Sequence, residues 1–309
     1  MADGEGWKGG GVPVRPSVSL RLLRLLPQGA ISMVWGRLAE FRLPRKLQGR
    51  VNRGFARLFD VDLADAAHPP EHYPTLSAFF ARTLRPGVRP FPLHGGIPGS
   101  PVDGIIGACG PLEEGIAIQA KGITYPVAAL LGGGSDAERF RSGLFVTIYL
   151  SPRHYHRIHS PLGGVLREAR SVPGRLLPVG PDSVRSIPDL FPRNERLVTL
   201  MERGALDMAV VAVGAFNVGR ISAAFDLGWN GPDGRGVTNR KGGREIEVRR
   251  YDPPLPIERG QEIMAFHLGS TVVLLLGSAG GTLPRLAPGL RPGEEVRMGS
   301  PLLQGPVAD

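Results

Sequence analysis

The chain has 309 residues, of which 42% are hydrophobic and 21% charged. That is room for one large domain or two ordinary ones, with the balance of a globular fold, and it excludes a wholly disordered chain, a collagen and a multi-span membrane protein. A single cysteine, Cys109, rules out an intrachain disulfide framework and a multi-cysteine zinc site, and points to a reducing compartment. The net charge of +9 is concentrated: residues 15–57 hold ten Arg or Lys against one acid, Glu40. Such a block calls for an anionic partner, either nucleic acid or an acidic membrane surface.

Residues 1–16 are Gly-rich and read as a flexible tail, and Arg21 and Arg24 interrupt the only apolar stretch that could form a signal core. The spacing predicts a short helix over 17–26, closed by Pro27, and a second one carrying Ile31, Val34, Trp35, Leu38 and Phe41. A third places Leu47, Val51, Phe55, Leu58 and Phe59 on one stripe, with Arg50, Arg53 and Arg57 opposite. Two readings of this 17–68 segment carry equal weight: a helical layer packed on the core with solvated arginines, or interfacial helices with the apolar face in lipid. Thr75–Thr83 reads as one more helix.

From there the texture is short apolar runs broken by Gly and Pro, predicting strands over Ile116–Ala120, Leu144–Leu150, Met208–Val213, Ile221–Phe225, Glu245–Val248 and Thr271–Leu276, with a helical turn at Ala128–Leu131. Ile263–Pro284 is long enough to span a bilayer, but His267 and four glycines exclude a transmembrane helix. The expected fold class is α+β, an N-terminal amphipathic helical layer on a β-rich catalytic core over 69–309.

Three histidines, His154, His156 and His159, lie within six positions. If extended, His154 and His156 share a face, which invites a metal, yet no cysteine or nearby carboxylate completes a zinc set. Alternatively one of them is an acid/base, or all are hydrogen-bonded structural groups. Asp103, before Gly104, is either a turn residue or the carboxylate that orients a histidine. Ser270, between Gly269 and the apolar run, is either a strand-entry turn or a hydroxyl placed to attack the preceding carbonyl.

The combination resembles the phosphatidylserine decarboxylase family, particularly its shorter bacterial proenzyme type. The matching blocks are Phe79-Phe80 through Arg89-Pro90, Ser100-Pro101-Val102-Asp103-Gly104, Ala120-Lys121-Gly122, Phe145 through His159-Ser160-Pro161, Asn194-Glu195-Arg196, Asn217-Val218-Gly219, and Phe266 through Val273 with Leu268-Gly269-Ser270-Thr271 at its centre.

The resemblance implies cleavage between Gly269 and Ser270, giving a β chain of 1–269 and an α chain of 270–309. Asp103, His159 and Ser270 match the self-cleavage relay, and Ser270 becomes a pyruvoyl group, a covalent cofactor that forms a Schiff base with the substrate amine and withdraws electrons as CO2 leaves. His156 matches a histidine that returns a proton to the α-carbon. No metal is implied, and His154 and His267 match no required role.

The expected reaction turns phosphatidylserine into phosphatidylethanolamine, on the cytoplasmic side of the cell membrane, with the enzyme peripheral and homodimeric as αβ units. A pyruvoyl decarboxylase of a soluble amino acid, which would not need the basic helices, is one alternative. An uncleaved membrane-binding protein is another. Nucleic acid is not expected, because no RNA-binding aromatic motif or DNA-reading helix pair is present.

Overall fold

The computed structural model describes residues 36–91, 96–120, 122–216, 220–229, 245–267, 271–278, 283 and 285–305. The expected tail 1–16, the helix over 17–26, most of the second helix, and Leu268, Gly269 and Ser270 lie outside the described residues; of the second helix, 36–39 is seen as helical.

The core is an eight-stranded, wholly antiparallel sheet. Its strands are β1 (Gly104–Pro111), β4 (Leu144–Tyr149), β6 (Gly164–Val172), β7 (Arg196–Arg203), β8 (Leu206–Val213), β10 (Glu247–Ile257), β12 (Thr271–Ser278) and β13 (Glu295–Val296), in the order β10-β6-β7-β8-β12-β4-β1-β13. The α+β class holds. The run Thr271–Leu276 is continuously apolar because β12 is central and covered on both faces. Val272, Leu274 and Leu276 point to one core and Val273 and Leu275 to the other.

The first core is closed by a three-stranded sheet, β5 (Arg157–His159), β11 (Glu262–Phe266) and β9 (Ile221–Ala223), which contributes Ile158, Ile263 and Phe266. The second lies beneath the hairpin β2 (Ile116–Ala120) and β3 (Ile123–Pro126) and the short helices α3 (Val127–Leu131), α4 (Pro181–Val184) and α5 (Leu190–Arg193), with Tyr125, Leu130 and Phe191 fully buried. Each such side chain contributes about 1.5–3 kcal/mol by leaving water. Ile263–Phe266 and Thr271–Ser278 are strands, and no helix among the described residues is long and apolar enough to cross a membrane.

After the helical stretch 36–39, the α-helices ahead of the sheets among the described residues are α1 (Arg45–Phe59) and α2 (Leu76–Phe80), the second N-capped by Thr75, whose hydroxyl accepts the Ala78 N–H at 3.0 Å. The stripe predicted for α1 exists, but it faces outward. Leu47, Val51, Leu58 and Phe59 are exposed, Leu58 by 76%, while the buried face is Gln48, Gly49, Asn52 and Ala56. Asn52 pins this face by donating to the carbonyls of Pro70 (2.8 Å) and Tyr73 (3.2 Å) and accepting from Gln48 (2.9 Å). Gly49 is required here, because a Cβ would stand 2.8 Å from Glu71 Cγ. Leu38 and Phe41, just upstream, are 60% and 64% exposed.

Candidate active site

Asp103 closes the turn that starts β1 and is buried. The turn is held by Ser100 Oγ donating to the Val102 carbonyl at 2.7 Å, and Gly104 lets β1 press against β4, since a Cβ there would meet Tyr149 O at 2.7 Å. The carboxylate is saturated: Arg89 grips it through Nε (2.9 Å to Oδ1) and Nη2 (2.7 Å to Oδ2), and the Met298 N–H donates to Oδ1 at 2.7 Å. Arg89 spans a second acid, Asp65, at 2.7 Å, and this pair of carboxylates holds its guanidinium firmly protonated.

The structure brings His159 close to Asp103: the His159 N–H donates to the Pro101 carbonyl at 2.9 Å. The two side chains are not hydrogen-bonded to each other. Instead His159 Nδ1 lies 2.7 Å from the Gly260 carbonyl and Nε2 lies 3.0 Å from the Tyr155 hydroxyl. Gly260 has φ +72°, and its turn aims that carbonyl at the ring. Burial pushes the His159 pKa down, with the Gly260 hydrogen bond and Glu262 opposing.

The segment 151–156 is a turn rather than a strand, so His154 and His156 do not share a sheet face. Pro152 lacks the N–H that a ladder needs, and His154 Nδ1 caps the turn by accepting the Ser151 N–H at 2.9 Å. Among the described residues no group of three or more His, Cys, Asp or Glu is arranged to hold a metal ion.

His156 is fully buried beneath the ring of Phe80, centroids 3.9 Å apart. Its Nδ1–H donates to the His154 carbonyl at 2.8 Å, which leaves Nε2 as a lone pair with no partner among the described residues. Burial, and then the buried Arg82 guanidinium, hold its pKa well below the usual histidine range. At rest His156 is neutral and a proton acceptor.

The stretch that carries Gly269 and Ser270 is bracketed by these groups. The Phe266 N–H donates to the His156 carbonyl at 2.9 Å, and β12 begins at Thr271, paired with Tyr149 and Val213. Beside this bracket lies an apolar cavity of about 580 Å³, walled by Phe80, Tyr149, Leu150, Ala215 and Phe216 and, from α1, by Val51, Phe55, Leu58 and Phe59. It has the size of a small-molecule site, and one wall is the exposed stripe of α1.

The sequence model of the phosphatidylserine decarboxylase family matches residues 76–304. The chain belongs to this family. Phosphatidylserine decarboxylase proenzymes of Anaeromyxobacter sp. (strain K), Myxococcus xanthus and Halorhodospira halophila are 46%, 43% and 45% identical to it, over 91%, 83% and 90% of this chain and 95%, 88% and 90% of theirs. The protein is therefore an enzyme of the decarboxylase class. For this decarboxylase the structure adds residues to which sequence reasoning gave no role: Arg89 on Asp103, Tyr155 and Gly260 on His159, and Arg82 beside His156. Only Tyr155 had a visible signal, sitting between two histidines and four positions before a third.

Proposed function

We propose that the chain cleaves itself between Gly269 and Ser270, converts Ser270 to a pyruvoyl group, and decarboxylates phosphatidylserine to phosphatidylethanolamine at an anionic membrane surface. Asp103, His159 and Ser270 form the self-cleavage machinery in this reading, and His156 handles the proton of decarboxylation. The observation that carries it is the buried Nε2 of His156, without a partner among the described residues, with its carbonyl on the Phe266 N–H and the apolar cavity beyond Phe80.

The residues present fit a pyruvoyl group. The group would arise from the chain's own serine and would need no separate cradle, and the neutral His156, whose carbonyl accepts the Phe266 N–H ahead of that stretch, could accept a proton. Once formed, that ketone would supply the electron sink: a carbonyl for the substrate amine and a place for the electron pair released with CO2. His156 takes a proton from the incoming ammonium, which frees the amine, and later returns that proton to the α-carbon. The apolar walls disfavour a carboxylate and favour neutral CO2. The α chain would remain bound after cleavage, since it supplies the central strand β12 and the Met298 N–H on Asp103. A homodimer of αβ units completes the reading.

The test is the denatured mass of the purified protein against a Ser270→Ala control. Two fragments meeting at Gly269/Ser270, the smaller one bearing a carbonyl-reactive N-terminus, are expected from the native sequence and one full-length chain from the control. A single chain in both would sink the proposal.

A lipid substrate is favoured over a soluble amino acid by the outward stripe of α1. Leu47, Val51 and Leu58 would enter the bilayer with Arg50, Arg53 and Arg57 at head-group level, at the cytoplasmic leaflet, and the same stripe leads into the cavity. Each such cation contributes about 1 kcal/mol near an anionic surface. Changing all three arginines to Glu should therefore weaken sedimentation with phosphatidylserine vesicles by roughly a hundredfold or more and remove its salt sensitivity. Unchanged sedimentation would mean that α1 is not the docking element.

A further inference from the structure

We propose that Tyr155 is the positioning residue of His159: its hydroxyl donates to Nε2 while the Gly260 carbonyl receives the Nδ1–H, so the ring is pinned in one tautomer with its basic nitrogen on the Tyr155 O–H. The inference rests on the reading that His159 serves self-cleavage.

The hydrogen positions follow from the partners. A carbonyl only accepts, so the ring nitrogen 2.7 Å from Gly260 O carries the proton. In a neutral imidazole the other nitrogen is then the acceptor, and the hydroxyl 3.0 Å from Nε2 must be the donor. Tyr155 is buried, and burial pushes its own ionisation up, so the phenol keeps its proton at neutral pH. In a nucleophile–His–carboxylate arrangement the carboxylate sets the tautomer. Here Asp103 is occupied by Arg89 and Met298, and the Gly260 carbonyl sets it instead. The Tyr155 hydroxyl lies on the nitrogen that has to accept a proton, so any transfer to His159 depends on it.

Three charged groups also face His159: Glu262, opposite on β11, and Asp103 favour the protonated ring, while Arg157 on its own strand opposes it. None of them changes when Tyr155 loses its hydroxyl. A hydrogen bond donated to the neutral ring stabilises the neutral form, so its loss lets His159 protonate at higher pH. A base that must be neutral then reaches its active form later as pH rises.

The experiment follows the cleavage of newly synthesised full-length proenzyme by denatured mass from pH 5 to 9. Tyr155→Phe should slow cleavage about tenfold at pH 7 and move the midpoint of the rising limb up by about half to one pH unit. With 3-fluorotyrosine at position 155, an isosteric and stronger donor, the midpoint should move down. A residue of merely structural importance would lower the melting temperature and leave both midpoints in place. If His159→Ala cleaves at the native rate, the reading of His159 itself fails. If His159→Ala is inert but neither Tyr155 change moves the midpoint, Tyr155 alone is overturned. Should the Phe variant not fold, the fluorotyrosine result decides.

Discussion

A His156→Asn variant should still divide into two chains at the native rate while its decarboxylation of phosphatidylserine vesicles falls by 10²–10⁴-fold, the usual worth of a positioned acid/base and equivalent to about 3–5 kcal/mol of barrier. The asparagine amide can replace the hydrogen bond to the His154 carbonyl without supplying a titratable nitrogen. The expected separation follows from where the two histidines sit. His156 lies under Phe80 beside the apolar cavity, whereas His159 is tied to Gly260 and Tyr155 near the Asp103 turn. Denatured mass reads the cleavage, and formation of the ethanolamine lipid reads the chemistry. Loss of both together would mean that one histidine cannot be assigned to each step.

The resting state of His156 sharpens this expectation. A histidine assigned to return a proton would ordinarily be pictured as charged, but burial and Arg82 keep this one neutral. In the proposed reaction it would first have to take up a proton, and the substrate ammonium, which must lose one before the amine can react, would supply it. The buried Arg82 beside the ring has two nitrogens without a partner among the described residues, and its third donates to the carbonyls of Arg153 and His154. Losing that charge would raise the affinity of His156 for protons.

The strands that the sequence revealed were those with an unbroken apolar signal. Ile116–Ala120 coincides with β2, Leu144–Leu150 overshoots β4 by one residue, and Thr271–Leu276 stops two short of the end of β12. Strands β1 and β6 left no clear sequence signal, for physical reasons. Glycines 104, 107 and 110 dilute β1, and of these Gly104 is there because β1 must lie close to β4. Arg167, Glu168 and Arg170 interrupt β6, yet Arg170 is buried and paired with Asp136 and Glu168. The predicted strand Glu245–Val248 is the start of β10, and the prolines at 253, 254 and 256 concealed its continuation; they are tolerated because β10 is an edge strand whose register breaks between Arg250 and Leu255.

The α1 stripe was legible as a pattern but not as a direction. Periodicity marks which residues share a face, and only the Asn52 contacts to 70–73 show that the polar face is the inner one. At the site, the types and spacing of Asp103, His156 and His159 were visible in the sequence. Their partners were not, because Arg89, Tyr155 and Gly260 reach them through turns that leave no periodic trace.

The second large effect concerns stability. Arg89→Ala should cost about 3–5 kcal/mol, measured by urea unfolding in the Ser270→Ala background so that only one covalent species is present. Asp103 and Arg89 have side-chain exposures of 8% and 9%, and removing the guanidinium leaves a buried carboxylate with the Met298 N–H as its remaining partner. Asp65 loses its partner as well. Most of the penalty is the uncompensated charge rather than a lost attraction, which gives a second arm to the measurement. Arg89→Met combined with Asp103→Leu removes both charges and should recover more than half of the loss, although it cannot restore self-cleavage in an otherwise native chain. Arg89→Lys keeps the charge without the two-pronged grip and should fall between native and Ala. A loss below about 1 kcal/mol for Arg89→Ala would place Asp103 within reach of water, and its carboxylate would then be free to turn toward His159 instead of being committed to the frame that holds the β1 turn.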